Sequence, residues 1–99
     1  MKNLKLPNSD PVVLHDGSIV SADFYQRNKA AAEAGIPKLK ADQKRTFRQI
    51  CGKAHWLTLD KGEVSLAGLC GLTMALRYEL QLIPAGKTAK NAQLYLPSR

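Results

Sequence analysis

The residues best suited to chemistry in this sequence are basic, and they are concentrated in one stretch. Residues 38–53 carry six Lys or Arg side chains against one acid, Asp42, and so hold +5 of the net charge of +7. A field of this sign attracts nucleic acid or an anionic membrane, although charge runs also form solvated helix faces. Lys44, Arg45 and Arg48 are spaced i, i+1 and i+4. On a helix this spacing would let them follow a phosphate backbone together.

Catalytic and metal-binding patterns are sparse by comparison. Neither histidine, His15 or His55, has a Ser or Cys at a spacing typical of nucleophilic catalysis. Cys51 and His55 are spaced i, i+4 and could begin a metal site with Cys70, but Gly52 breaks the helix that such a site requires. We therefore expect a protein that is not an enzyme and that binds no metal and no cofactor.

Length and composition limit the protein class. A chain of 99 residues with 44% hydrophobic and 23% charged residues is expected to form one folded domain. The two cysteines form no CxxC pair, which indicates a reduced, cytoplasmic protein. Residues 1–10 lack the apolar run of a secretion signal, and the uncharged stretch 64–76 is shorter than the roughly 20 residues of a membrane helix. We expect no membrane partner.

The elements that position the basic stretch can be predicted in order. The Asp-Gly pair at 16–17 lies between β-branched runs and predicts an N-terminal hairpin. Ser21 is typical of the N-cap of a first helix, which Gly35 should end. Asp42 is expected to cap a second helix that carries the basic face. Residues 53–61 are predicted to form a short third helix.

The last third of the chain predicts one core helix and two strands. Ser65 is expected to cap a fourth helix that is apolar on most sides. Apolar residues then alternate over 78–83 and again over 92–96, which predicts a C-terminal hairpin. The expected fold is α+β, with four short helices containing a helix-turn-helix. The predicted single domain, 1–99, divides into an N-terminal arm and hairpin (1–20), a helical core (21–77) and C-terminal strands (78–99).

One segment resembles a known family. The run Leu59-Asp60-Lys61-Gly62-Glu63-Val64-Ser65-Leu66, followed by a Leu-rich helix and a strand, resembles the end of the lambda-repressor-like (XRE-type) helix-turn-helix family. In that family the recognition helix closes on an acidic-basic-Gly turn, and Ser-Leu opens the next helix. The passage into a strand is similar to the HipB-type antitoxin repressors, whose strand pairs with its copy. The resemblance covers about residues 42–83.

The resemblance implies a DNA-binding transcriptional repressor that forms a homodimer, and it allows an antitoxin with a cognate toxin partner. Its second helix would cross the phosphates and the start of its third would enter the major groove. The implied DNA-binding residues are Gln43 and Lys44 at the start of the second helix, Arg45, Arg48 and Lys61 toward phosphates, and Lys53, His55 and Thr58 toward base edges. Trp56 is expected to anchor the third helix in the core.

Two other functions stay open from the sequence. The basic face could bind an acidic protein surface, as in a small phage or plasmid adaptor or inhibitor. A small RNA-binding protein is the second alternative, although the six aromatic residues form no RNP-like cluster. The homodimer is expected to form through the alternating run at 78–83, because that strand would offer an unpaired edge.

Overall fold

The computed structural model describes residues 10–98, in which helices and strands are mixed. The elements are β1 (Val12–Val13), β2 (Ile19–Val20), α1 (Ala22–Gly35), β3 (Arg45–Thr46), α2 (Phe47–Cys51), α3 (Lys53–Trp56), α4 (Lys61–Leu76), β4 (Leu82–Lys87) and β5 (Gln93–Pro97). A short 3-10 helix, Ile36–Lys38, extends α1. The predicted α+β class is confirmed. None of the helices in the described range has the length and apolar character needed to cross a membrane.

The N-terminal hairpin forms where the Asp-Gly pair predicted it. β1 and β2 are antiparallel, and Gly17 adopts a φ of 91° in the turn between them. The Asp16 carboxylate accepts hydrogen bonds from the backbone N–H and the hydroxyl of Ser18, each 3.0 Å long. These bonds lower the pKa of the Asp16 carboxyl because they favour its charged form. The turn is therefore closed by its own side chains.

Thr73 ties this hairpin to the fourth helix. Its side chain is fully buried, and its hydroxyl donates to the Leu69 carbonyl over 2.8 Å. The same oxygen accepts from the backbone N–H of His15 at 3.1 Å. Because buried polar groups are costly without partners, these bonds fix the position of the hairpin on α4.

The first helix is capped at Ser21 and ends at Gly35, both as predicted, but Gly35 does not adopt a left-handed conformation there. The Ser21 hydroxyl accepts from the Phe24 N–H over 3.1 Å, which confirms the N-cap. Gly35 has an ordinary helical φ of −87°, and the chain continues into the 3-10 helix instead of stopping. Glycine is required there for another reason. A Cβ on Gly35 would overlap the backbone carbonyl of Ile50, so its absence lets α1 and α2 approach closely.

The second helix begins at Phe47, and the prediction that Asp42 caps it is wrong. Thr46 is the N-cap: its hydroxyl accepts from the Gln49 N–H over 3.3 Å. The Gln49 side-chain carbonyl accepts from the Thr46 N–H in return, over 3.0 Å. This reciprocal pair satisfies two backbone donors where Asp42 could satisfy one. Arg45–Thr46 instead pairs with β5 as a strand.

The third and fourth helices also differ from the predicted bounds. α3 ends at Trp56 instead of continuing to residue 61, and α4 begins at Lys61, so the prediction that Ser65 caps the fourth helix is wrong. Asp60 is the N-cap, accepting from the Glu63 N–H over 2.9 Å, and the Glu63 carboxylate accepts from the Asp60 N–H over 3.0 Å. An acidic residue three places before Glu is a capping-box pattern, which favours a helix start. Here that effect exceeds the tendency of the glycine between the two residues to end a helix.

The C-terminal hairpin is confirmed, but its first strand starts later than predicted. Tyr78 has a φ of 59°, lies in a turn and is 93% exposed, so β4 begins only at Leu82. β5 pairs with β4 on one side and with β3 on the other, giving the sheet order β3-β5-β4. Pro84 lies within the outer strand β4 and cannot donate a backbone hydrogen bond. This weakens the edge that the predicted homodimer would use, and the homodimer stays a prediction.

The core is built around α4, as its apolar sequence predicted. Ala67, Cys70 and Met74 on this helix are fully buried. The Phe47 ring lies against Gly71, where a Cβ would be only 2.5 Å from it, and Phe47 also makes an edge contact with Tyr95 with ring centroids 6.4 Å apart. α4 is therefore held between α1, α2 and the sheet. The residues buried in this core are Leu14, Val20, Phe24, Tyr25, Ala32, Ile36, Phe47, Ile50, Ala67, Cys70, Met74, Ala75, Leu80, Leu82 and Tyr95.

Candidate nucleic-acid interface

A groove of about 1090 Å³ lies between α4, the start of α2 and the tip of the β4–β5 hairpin. The α4 side of its floor is formed by Val64, Gly68 and Leu72, which follow one another at i, i+4 and i+8 on one face of the helix. These three residues are half-buried. The remaining lining residues are Thr46, Phe47, Arg48, Gln49, Trp56, Ser65, Leu69, Lys87, Thr88, Ala89, Lys90, Asn91, Ala92, Gln93 and Tyr95.

Three exposed cations surround this groove, and we call them the rim cations: Arg48, Lys87 and Lys90. Among residues 10–98, no acidic residue lines the groove. The ion pairs within residues 10–98 join Arg27 to Asp23 and Lys29 to Glu79, so none involves a rim cation. The three charges are therefore available to an anionic ligand. Because none of them is paired with an acid of the described residues, they produce a positive field over the groove.

Local packing holds Arg48 at the mouth of the groove. Arg48 follows Phe47, whose ring is buried and meets the Trp56 ring edge-on with centroids 6.4 Å apart and a 72° interplanar angle. The Thr46–Gln49 capping box fixes the first turn of the same helix. Because α2 is pinned at its apolar side and its N-terminus, Arg48 projects from a short but well-defined helix.

The hairpin tip carries the other two rim cations. Lys87 ends β4 directly after Gly86, which has a φ of 95°, at an irregularity in the pairing with β5. The Thr88 hydroxyl accepts from the backbone N–H groups of Lys90 and Ala92, at 3.2 and 3.1 Å. These bonds order the turn and keep Lys87 and Lys90 on the same protruding tip.

The predicted basic helix face is not assembled. Lys44 precedes β3 in an irregular segment, and Arg45 lies in β3, so neither shares a helix with Arg48. The Arg45 guanidinium donates to the Gln43 side-chain carbonyl over 2.6 Å and to the Lys44 carbonyl over 3.1 Å. Arg45 and Gln43 are half-buried and bonded to each other, while Lys44 is exposed. Of the predicted phosphate contacts, Arg48 alone lines the groove.

The residues predicted to contact base edges lie outside the groove. Lys53 is exposed at the start of α3. Lys61, which was predicted to contact phosphates, is also outside the groove and is exposed at the start of α4. The Thr58 hydroxyl donates to the His55 carbonyl over 2.6 Å and so closes the end of α3. Trp56 is half-buried and packs on the core, as predicted, but it also lines the groove.

His55 is directed toward α1. Its Nε2 lies 2.8 Å from the side-chain oxygen of Asn28, a fully buried residue whose amide nitrogen donates to the Phe24 carbonyl over 2.9 Å. Since the Asn28 nitrogen is used in that bond, its oxygen is the acceptor and His55 Nε2 is the donor. Burial, with a smaller contribution from the Arg27 charge, lowers the pKa of His55 below 6.5. His55 is therefore neutral near pH 7 and joins α3 to α1.

This depressed pKa predicts a pH-dependent stability. An unfolded histidine titrates near 6.5, so the unfolded chain binds the proton more tightly, and His55 stabilises the fold above that pH. The stabilisation is lost as the pH falls through the lower pKa of the folded state. We expect wild type to lose more unfolding free energy between about pH 7.5 and about pH 5 than His55→Gln, which keeps the donor and does not titrate. Urea titrations at both pH values measure this, and equal losses would contradict it.

Sequence reasoning missed the two lysines of the hairpin tip. Residues 85–90 were expected to be a loop between two alternating runs, and the short sequence Gly86-Lys87-Thr88-Ala89-Lys90 carries no signal of what it faces. Only the antiparallel pairing of β4 with β5 brings this tip beside α4. The sequence signal available was the basic character of the turn itself.

Compared with protein-family models, curated proteins and solved structures, the chain matches none. Among residues 10–98, no three His, Cys, Asp or Glu side chains are grouped closely enough to hold a metal ion. Cys51 and Cys70 are free thiols, and burial raises the pKa of each to about 12, so both are protonated at neutral pH. The groove with its rim cations is the feature from which function can be argued.

Proposed function

We propose that this protein binds DNA through the rim cations, as a small transcriptional repressor of the helix-turn-helix type. The observation that supports this most directly is the convergence of Arg48, Lys87 and Lys90 on one groove, which no acidic residue of the described part of the chain lines. Cations of this kind bind successive phosphates, and the release of counterions from DNA drives the association.

The order of elements also supports the proposal. The strand β3 is followed by α2 and α3, then by α4, and then by a hairpin that shares its sheet with β3. This order is compatible with a helix-turn-helix followed by a β-hairpin wing, which is the arrangement proposed. In this proposal α4 and the hairpin tip face the DNA. The sequence resemblance implied instead that the residues around α3 face it. α3 is only four residues long, whereas α4 is sixteen.

The groove offers few groups for reading bases. On α4 the exposed lining residue with a hydrogen-bonding side chain is Ser65, and at the hairpin tip it is Asn91. Gln93 is already committed, because its side chain donates to the Gly86 and Leu94 carbonyls. Asn can pair with adenine and Ser with several bases. We therefore propose that phosphate contacts supply most of the affinity and that Ser65 and Asn91 supply sequence preference.

A salt titration tests the proposal. Fluorescence anisotropy of a labelled duplex of about 20 base pairs would be recorded between about 50 and 200 mM NaCl. Three phosphate contacts give a slope of about −2.7 in log affinity against log salt, which corresponds to an affinity about 40-fold lower at the higher salt. The absence of binding at about 50 mM, or binding that ignores salt, would refute DNA binding by the rim cations.

A further inference from the structure

DNA bound through the rim cations would leave the floor of the groove unused. Val64 and Leu72 on α4 flank Gly68, and with a rise of 1.5 Å per residue this stripe is about 12 Å long. Leu69, Phe47 and Trp56 extend the same apolar floor. A duplex presents mainly charged phosphates and polar groove edges, with the thymine methyl as its apolar group, so it can use only a small part of such a surface.

The middle of the floor is open at Gly68. A Cβ built on this residue would have no atom within 4 Å, so the floor has space above the helix backbone at that point. Gly71, only three residues later, has no such space, because the Phe47 ring occupies the position of its Cβ. Gly68 therefore gives a close-approach position on the accessible side of α4, where a large side chain or a second helix can come near the backbone.

The shape of the groove favours a helix over other apolar ligands. Its volume of about 1090 Å³ exceeds the usual range for small-molecule pockets, about 300 to 1000 Å³, and its rim residues are exposed, so it is open along one side. The floor is formed by side chains of α4, so it offers no free backbone edge for an added strand. An apolar stripe along a helix accepts the apolar face of another helix, through residues at i, i+3, i+4 and i+7.

The charge of the rim selects the partner. Arg48 lines the groove from α2, Lys87 and Lys90 line it from the tip of the β4–β5 hairpin, and no acid among residues 10–98 lines it. We propose that this groove binds an amphipathic helix of an acidic partner protein, with its apolar row on Val64, Gly68 and Leu72 and its carboxylates toward the rim cations. The proposal goes beyond DNA binding, and because both ligands use the rim cations, it makes them mutually exclusive.

The test uses a designed peptide as the probe. A labelled 15-residue peptide would carry Leu along one helical face and Glu and Ala elsewhere, and a peptide of the same residues in scrambled order is its control. We expect the amphipathic peptide to bind at least about tenfold more tightly than the scrambled one, a difference of about 1.4 kcal/mol. We also expect it to displace the labelled DNA duplex.

Two matched variants locate the binding on the floor. Gly68→Leu places a side chain in the open centre of the groove and should weaken peptide binding at least about tenfold. Gly62→Leu makes the same change on the first turn of α4, outside the groove lining, where a Cβ meets only the Asp60 carboxylate oxygen at 3.7 Å, and it should bind the peptide like wild type. Leu is a better helix former than Gly, so both variants should fold, which circular dichroism would confirm.

Each contrary outcome points to a different occupant. Peptide affinity that Gly68→Leu leaves unchanged would overturn the proposal. A second pair of results would also overturn it: the peptide does not bind, and the wild-type protein self-associates whereas Gly68→Leu does not. The groove would then hold a second copy of the chain. Tight binding of single-stranded DNA without peptide binding would assign the floor to bases. Peptide and duplex are each titrated alone. If the protein binds the peptide but not the duplex, only the DNA function is refuted.

Discussion

Replacing the three rim cations by glutamine should nearly abolish DNA binding. In the variant Arg48→Gln, Lys87→Gln, Lys90→Gln, the slope of log affinity against log salt should fall from about −2.7 to near zero. Each lost contact removes a factor of about 15 at 50 mM salt, so the loss of three contacts should lower the affinity there by about 3000-fold. The three side chains are exposed and make no ion pair with other described residues, so the fold should be retained.

A matched variant separates the groove from net charge. Lys38, Lys40 and Lys53 are also exposed, and none lines the groove. Changing these three to glutamine lowers the net charge by the same amount, yet it should leave the salt slope within about 0.5 of wild type. Equal losses in the two triple variants would show that the protein binds DNA through its overall charge and would contradict an interface at the groove.

The parts of the fold that follow local rules were predictable. The Asp-Gly hairpin at 16–17, the Ser21 cap and the apolar α4 each depend on residues next to one another in sequence, and all three are confirmed. The start of α2 was not predicted, because Asp42 and Thr46 are both acceptable N-caps when judged alone. The choice is decided by Gln49, which completes a capping box, and by β5, which takes Arg45–Thr46 as a strand.

The candidate interface depends on contacts between distant segments, and this is why so little of it was predicted. Arg48 lies on α2, whereas Lys87 and Lys90 are about 40 positions later, and the β3-β5-β4 sheet brings them to one groove. Conversely, the density of charge at 38–53 suggested one binding face, but that segment is divided among the end of the 3-10 helix, an irregular stretch, β3, α2 and the start of α3. Charge density along a sequence identifies a polyanion-binding class more reliably than it identifies the residues of the interface.

Two glycines of α4, Gly68 and Gly71, have different surroundings. Both glycines lie on the same helix, where alanine would be favoured by helix propensity. At Gly71 the Phe47 ring explains the absence of a side chain. At Gly68 a Cβ would meet no atom of the described residues within 4 Å, so the glycine leaves the groove floor open where we propose that a partner helix approaches α4.

Gly35→Ala should destabilise the protein strongly, against the rule that alanine favours helices. The Gly35 backbone is helical, with a φ of −87°, so alanine causes no backbone strain, and only the collision of its Cβ with the Ile50 carbonyl remains. The Ile50 carbonyl belongs to the backbone and cannot rotate away from the new Cβ, so α1 and α2 must move apart. We expect a loss of about 3 kcal/mol, which lowers the melting temperature by roughly 12 to 24 °C.

Gly68→Ala is the matched control for this prediction. The new Cβ meets nothing within 4 Å, so only helix propensity acts, and the variant should gain about 0.5 to 1 kcal/mol. Thermal melts followed by circular dichroism should therefore place Gly35→Ala well below wild type and Gly68→Ala slightly above it. A Gly35→Ala protein that melts at or above the wild-type temperature would show that α1 does not contact the Ile50 carbonyl, and the position of α2, with Arg48 at the groove, would have to be revised.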